Sequence, residues 1–227
     1  MSIRGKTYRD ELSDTIIEKL LANPYTVHSK MLEIVGKNKT ILEVGCATGY
    51  MTKRFKKNNC NITGIEINPN SAEIAKKYCD QIIIGDIEIT KDFPLKKDYF
   101  DFILFADVLE HLRFPLRTLV KFKKYLKPEG KIFISLPNVA NYRLRMNLLT
   151  GRFDYTEIGL LDKTHLRFFT IKTAKQLVSD AGLNIVKLDV SPSWNSSIKL
   201  LNKFYYLITR AWKSLLGYSI LILASKK

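Results

Sequence analysis

The amino-acid sequence predicts an α/β protein built on a doubly wound, mostly parallel sheet. Three observations carry that expectation. Five short apolar runs recur between residues 40 and 136, helix-like stretches separate them, and two further apolar runs follow with helical stretches of their own. Parallel neighbours need crossover connections long enough for a helix, and this spacing supplies them.

The elements follow in order. Residues 1–36 form an N-terminal helical segment. Residues 1–24 are polar apart from one amphipathic stretch, Leu12 to Leu21, and residues 25–35 read as a helix that Gly36 can stop. Residues 40–45 (TILEVG) are the first buried strand, residues 50–57 a helix, and residues 61–67 the second strand. Asn68-Pro69-Asn70-Ser71 is a turn and helix start that carries on to Tyr78. Residues 81–86 and 100–106 are strands three and four. Pro115 opens a helix running to Leu126, Pro128-Glu129-Gly130 is a turn, and residues 131–136 are strand five.

Residues 137–168 then break the rhythm, and an insert of that length is usually functional or carries small helices of its own. Residues 171–181 are a helix stopped by Gly182, residues 183–190 a sixth strand, residues 198–216 one helix, and residues 217–224 the last strand. In that last helix Leu201, Phe204, Ile208, Ala211 and Leu215 form an apolar stripe, with Lys199, Lys203, Arg210 and Lys213 opposite. The expectation is that the stripe packs on the sheet and the lysines face solvent; the competing reading is a basic amphipathic helix on anionic lipid.

Composition bounds the rest. The chain has 227 residues, 46% hydrophobic and 26% charged, which fits one globular domain over residues 1–227 and excludes disorder as the main state. The formal charge of +15 admits a nucleic-acid, membrane or anionic-substrate reading, but the cations are scattered along the chain and lysines outnumber arginines, which favours an ordinary basic surface. Three cysteines without a C-x-x-C pair argue against a disulfide framework and a thiolate zinc site, and no metal is assigned. The first residues lack the apolar core of a signal peptide and no run is long enough to span a membrane, so the expected location is cytoplasmic.

Chemistry concentrates at the strand ends. After strand one, Glu43-Val44-Gly45-Cys46-Ala47-Thr48-Gly49 has glycine-loop spacing unlike that of a dinucleotide fingerprint, with an acid two residues before the first glycine. That carboxylate would repel a pyrophosphate and suits an ammonium group. Glu66 ends strand two, about 20 residues after the first glycine, where a carboxylate takes a ribose diol. Asp86 ends strand three, placed to accept from an adenine amine. An ammonium, a ribose and an adenine without phosphates describe S-adenosylmethionine.

On these motifs the chain resembles the class I S-adenosylmethionine-dependent methyltransferases, in particular those acting on small molecules. The matching stretches are ILEVGCATGY (41–50), GIEINPN (64–70), GDI (85–87), FDFILFADVLEHL (100–112) and LKPEGKIFISLPN (126–138), in the family's order. The resemblance implies a Rossmann-like sheet of seven strands with an antiparallel C-terminal strand, and a cofactor site made of Glu43, Gly45, Cys46, Ala47, Gly49, Tyr50, Glu66, Ile67, Asp86, Ile87, Ala106, Asp107 and Leu109. Tyr25 and His28, before strand one, would close over the cofactor. Ala47 stands where the family usually has glycine.

The same resemblance implies methyl transfer by in-line displacement at the sulfonium, to a small-molecule hydroxyl of a sugar, quinone precursor or other metabolite. A hydroxyl must lose its proton as the new bond forms, so a base is useful. His111, after strand four, and His165, in the insert, are the candidates. Asp107 and Glu110 read instead as helix-start groups. The phrase GRFDYTEIGLLDKTHLRFFT resembles a subset of these enzymes, and residues 137–168 are expected to form an acceptor lid with Arg143, Arg152, Tyr155 and Arg167 facing the acceptor. The alternatives are an RNA methyltransferase acting on a ribose hydroxyl or ring nitrogen, a peripheral membrane methyltransferase with a lipid-linked substrate docked through residues 198–216, and a non-catalytic cofactor-binding module. The sequence lacks the Pro-Pro-aromatic turn of base-amine methylation and a cysteine near the acceptor position.

Overall fold

A computed structural model describes residues 14–194 and 196–227. Two helices come first, α1 (Asp14–Ala22) and α2 (Val27–Val35); Leu12, the start of the predicted amphipathic stretch, lies outside the described residues. The remaining elements are β1 (Thr40–Val44), α3 (Thr52–Lys57), β2 (Asn61–Glu66), α4 (Pro69–Ala75), β3 (Gln81–Ile84), β4 (Phe100–Ala106), α5 (Pro115–Lys123), β5 (Leu126–Pro137), α6 (Tyr142–Leu149), α7 (Ile171–Asp180), β6 (Leu183–Pro192), α8 (Lys199–Ala211), α9 (Lys213–Leu216) and β7 (Gly217–Lys226). The sheet order is β3-β2-β1-β4-β5-β7-β6, with all pairs parallel except those of β7, which runs antiparallel to β5 and β6. The doubly wound sheet with one reversed C-terminal strand is therefore present.

Alternation along the strands sorts the core into two layers. Ile41, Phe102, Leu104 and Phe133 face Met31 and Val35 of α2 and Phe55 of α3. Their neighbours Leu42, Ile103, Phe105 and Ile132 face the other way, against Phe122 of α5 and Val178 of α7. Local sequence sets the helix ends. Thr26 caps α2 by accepting from the Ser29 N–H, and Asn68 caps α4 by accepting from the Asn70 and Ser71 N–H groups. Gly36, at φ +73°, ends α2 where the pattern placed the stop.

Four expectations change. The helix opened by Pro115 ends at Lys123, and Leu126 already belongs to the sheet. Residues 126–137 form one strand: Leu126 pairs with Phe100 and Lys131 with Phe102, so the Pro128-Glu129-Gly130 turn is an outward excursion within β5. Gly130 makes it fit, because a Cβ there would lie 2.7 Å from Leu126 Cδ1 and 2.9 Å from the Phe100 carbonyl oxygen.

The expected helix 198–216 is two helices, broken at Trp212 (φ −122°, ψ 58°). Its expected orientation is also overturned: Leu201, Phe204 and Ala211 are exposed, while Asn202 and Thr209 are buried. The cause is polar. Lys30 of α2 and Asp189 of β6 form a buried ion pair, and the Tyr206 hydroxyl accepts from Lys30 Nζ at 2.7 Å and donates to Asp189 Oδ2 at 2.6 Å. Tyr25 lies in the turn before α2 and stacks on Tyr206 with ring centroids 4.3 Å apart. Burial opposes ionisation of Asp189, yet the Lys30 and Tyr206 hydrogen bonds hold its carboxyl below the ordinary range. The same triad lines a cavity of about 340 Å³ between α2 and the β6–β7 end of the sheet, away from the strand tips.

Replacing one partner of a buried pair strands the other. Asp189→Asn is expected to lower unfolding stability by about 3 kcal/mol, read from urea denaturation at neutral pH. A loss within experimental error of zero would show that the triad does not hold α8.

Candidate functional site

The C-terminal ends of β1, β2, β3 and β4 share one edge of the sheet, and the chain reverses its winding direction between β1 and β4. Ligands of open α/β sheets bind at that switch point. The loop leaving β1 is tight. Gly45, Ala47 and Gly49 have φ of +71°, +49° and +77°. A Cβ on Gly45 would come within 2.8 Å of Val108 in the loop after β4, and one on Gly49 within 3.0 Å of Ala75 Cα. Glycine is thus required twice, by conformation and by space. Ala47 takes the left-handed conformation despite its methyl group.

Glu66 braces this loop. Its Oε2 accepts from the Ala47 N–H at 2.8 Å, and its Oε1 from the Ile67 and Asn68 N–H groups, each at 2.9 Å. The predicted ribose ligand is therefore also the clamp between two strand tips. Glu43 lies one turn deeper, buried, its Oε2 accepting from Thr52 Oγ1 at 2.6 Å. Burial pushes its pKa up to about 7, against the opposing Thr52 hydrogen bond. As far as this group goes, folding is most favoured below the unfolded carboxylate range, and that contribution is lost as pH rises through about 7. A buried acid held this way suits a bound cation, and with the left-handed loop beside it the residues fit an aminoacyl nucleoside.

The other cofactor candidates divide. Asp86 Oδ1 accepts from the Glu88 N–H at 2.7 Å, closing the turn after β3. Ile87 is buried and its carbonyl accepts from Lys121 Nζ, while Ile67 is exposed at the rim. His28 lies beside Tyr50, ring centroids 5.9 Å apart, whereas the Tyr25 ring is committed to Tyr206. Cys46 is buried, and its hydrogen bond to Cys79 together with burial pushes its thiol pKa up, which keeps it unreactive. Leu109 is fully buried in the core, beneath the half-buried Ala106.

Asp107 is not a helix-start group. It sits at φ +52°, its N–H donates to Ser135 Oγ at 2.9 Å, and its Oδ1 accepts from that hydroxyl at 2.7 Å, so it ties β4 to β5. Val108 precedes the 3-10 turn Leu109–His111, which has no side-chain cap, so Glu110 is not a cap either. Glu110 is buried, and its carbonyl accepts from the Leu166 and Arg167 N–H groups at 2.9 Å each.

That contact docks the insert onto the turn and unites the two histidines. The rings of His111 and His165 are 4.8 Å apart, edge to face. Nδ1 of His111 lies 3.2 Å from the Thr164 carbonyl oxygen, and Nδ1 of His165 lies 3.3 Å from that of Leu160. Carbonyl oxygens only accept, so the proton is assigned to Nδ1 in both rings, which in a neutral imidazole leaves Nε2 as the acceptor nitrogen. Thr164 Oγ1 lies 3.1 Å from His111 Nδ1 and donates to Asp162 Oδ1 at 2.7 Å, which orients the His111 ring. The ligating atoms of Glu110, His111 and His165 all lie within 4.8 Å of one another, a geometry able to hold a cation as well as to pass a proton. Sequence reasoning missed Thr52, Ser135, Asp162 and Thr164, because a hydroxyl or carboxylate that orients another group has no spacing of its own.

Each of the four acceptor candidates is exposed or has a local partner. Arg143 Nε donates to the Tyr142 hydroxyl at 3.3 Å, and Arg167 Nε and Nη2 donate to the Arg113 carbonyl at 3.1 and 2.8 Å, latching the insert. Arg152 is exposed, and exposed Tyr155 packs edge-on against Phe153, centroids 5.7 Å apart.

Comparison with known proteins gives this edge its chemistry. Residues 17–188 match the methyltransferase-domain family, and the chain belongs to it. The resemblance to the class I enzymes is borne out: this is an S-adenosylmethionine-dependent methyltransferase. A ubiquinone biosynthesis O-methyltransferase of Coxiella burnetii is 27% identical over 196 residues, covering 72% of this chain and 82% of that one. One of the same name from Actinobacillus pleuropneumoniae is 31% identical over 108 residues, covering 44% and 46%. Among solved structures, a methyltransferase from Archaeoglobus fulgidus superposes with a TM-score of 0.65 at 18% identity, covering 94% of this chain and 95% of that one. The [4+2]-cyclase SpnF shares the fold at a TM-score of 0.61 and 16% identity, covering 88% and 80%, so the fold alone does not set the reaction.

The loop makes a sharp prediction. Gly49→Ala is expected to cost about 2–3 kcal/mol, from left-handed strain plus the clash with Ala75, whereas Ala47→Gly should change stability by less than about 1 kcal/mol. Thermal unfolding of the two variants checks this; equal effects would mean that the loop relaxes freely.

Proposed function

We propose that the chain methylates a hydroxyl group of a small-molecule acceptor, with an aromatic hydroxyl of a quinone precursor favoured over a sugar. Support for the aromatic acceptor comes from the relatives named ubiquinone biosynthesis O-methyltransferase. The observation that carries the hydroxyl is the oriented imidazole pair: His111 holds its Nδ1 proton toward Thr164, keeping Nε2 as a proton acceptor beside the β4 tip. Bound S-adenosylmethionine supplies an activated methyl group, so the protein's work is positioning and proton removal.

In this reading Glu43 faces the ammonium of the cofactor and the Gly45–Gly49 loop accommodates its methionine end. Glu66 holds the ribose through its carboxylate, and Asp86 and Ile87 flank the adenine. His111 takes the acceptor's hydroxyl proton at Nε2, with His165 packed against its ring. Residues 137–168 cover the acceptor as a lid. The whole of residues 1–227 acts as one methyltransferase domain, with residues 1–36 as its helical entry segment.

Two outcomes are expected. S-adenosylmethionine should bind about tenfold more tightly at pH 8 than at pH 6, because Glu43, with a pKa raised to about 7, must ionise to meet an ammonium. Glu43→Gln should weaken binding and flatten the profile in calorimetry; a wild-type affinity independent of pH removes Glu43 from the site. His111→Ala should lower kcat on a phenolic acceptor by about 100- to 10,000-fold while cofactor affinity holds. Assays with labelled cofactor on phenols, sugars and amines decide the acceptor: methylation confined to nitrogen or carbon would overturn the hydroxyl reading.

A further inference from the structure

The outward face of α8 is apolar where a surface helix is ordinarily polar. At 100° per residue, Leu200, Phe204, Leu207 and Ala211 fall within a narrow arc opposite the buried Asn202 and Thr209. Leu200 is 74% exposed, Phe204 57% and Leu207 53%. The polar side of the helix faces inward, held by Tyr206 on the Lys30–Asp189 pair and by Asn202, whose side chain bonds the Ser196 backbone at 2.7 and 2.8 Å. From this geometry we infer that α8 is a docking surface for an anionic lipid bilayer, lying in the plane of the interface with its apolar face among the headgroups and upper acyl chains.

Charge selects the occupant. Lys199, Lys203 and Arg210 line one flank of the apolar arc, and residues 190–227 contain six Lys or Arg and no Asp or Glu. An open groove beside α9 adds Arg145, Lys172, Lys175 and Lys227 to Lys213, with no Asp or Glu on its walls. A second copy of this surface would set like charges against each other, which disfavours self-association. A nucleic acid would meet the cations but leave the leucines wet. An anionic membrane satisfies both halves, as it does for interfacial amphipathic helices.

Aromatic residues agree. The chain has only two tryptophans, Trp194 and Trp212, and they flank α8 at its two ends, both exposed. Trp194 stacks on Tyr205 with centroids 4.9 Å apart. Tryptophan and tyrosine concentrate at the membrane–water boundary, where an apolar ring and a polar edge are both accommodated.

The test uses the full chain and vesicles of phosphatidylcholine alone or mixed with phosphatidylglycerol. Binding is expected to the mixed vesicles, to weaken with added salt, and to shift tryptophan emission to the blue, since both reporters are exposed at the two ends of α8. Phe204→Ser with Leu207→Ser should weaken binding by about tenfold or more. Lys199→Gln, Lys203→Gln and Arg210→Gln together should weaken it on the order of 100-fold. These side chains are exposed, but the Arg210 guanidinium also lies over the Tyr206 ring, 5.8 Å from its centroid, so cofactor binding should hold in both variants and the unfolding temperature in the variant that keeps Arg210. No binding to the mixed vesicles at low salt, equal binding to neutral vesicles, or binding untouched by both variants would overturn the inference. A dimer of the free protein that Phe204→Ser with Leu207→Ser dissociates, found in place of vesicle binding, would also overturn it by making the face a self-interface.

Discussion

The structure turns on one buried carboxylate. Glu66, at the tip of β2, collects three backbone N–H groups, one from the β1 loop and two from its own chain beyond the strand. A carboxylate that accepts charge-assisted bonds from fixed amides makes a stiff joint. It holds Ala47 in a conformation that alanine alone disfavours and keeps the Gly45–Gly49 loop against Val108 of the β4 tip. The parallel sheet brings these tips together at one edge, and Glu66 turns that proximity into a shaped rim. Glu43 is buried behind the rim, where burial pushes its pKa up to about 7 against the opposing hydrogen bond from Thr52.

Around that rim the insert after β5 is assembled by backbone as much as by side chains. The Glu110 carbonyl receives the Leu166 and Arg167 amides, and the Arg113 carbonyl receives the Arg167 guanidinium. At its other end, Asn138 and Asn141 donate to carbonyls of the α9–β7 junction, including Gly217 at 2.7 and 3.0 Å. Buried amide side chains with several partners resist displacement. Two histidines 54 positions apart in sequence thereby become neighbours, each with its tautomer set by a carbonyl. The catalytic reading depends on this docking, since Thr164 gives His111 both a carbonyl and a hydroxyl contact at Nδ1.

The far end of the molecule follows a different logic. Lys30, Asp189 and Tyr206 could not be buried separately, and their mutual satisfaction rotates α8 so that its polar side faces in. The hydrophobic stripe is left outside, within a stretch, residues 190–227, that holds no Asp or Glu. No helix among the described residues is long and apolar enough to cross a membrane, so any contact with lipid is at the interface.

The sequence by itself determined the sheet. Apolar runs at crossover spacing, Pro69 and Pro115 at helix starts, and Gly36 and Gly182 at helix ends are local signals, because backbone conformation and alternation act within a few residues. The tight loop after β1 was legible for the same reason: an acid, a close bend and acids at the next strand tips are written in contiguous motifs. What only the tertiary structure decided is everything that joins distant segments. The bracing role of Glu66, the tie from Asp107 to Ser135, the Asp162–Thr164–His111 alignment and the latch from Arg167 to the Arg113 carbonyl depend on which loops meet. The orientation of α8 is the plainest case. Its periodicity marks a helix with an apolar stripe, but which side turns inward was set by one buried ion pair on other elements, and the energy of satisfying that pair outweighed the burial of four exposed hydrocarbon side chains.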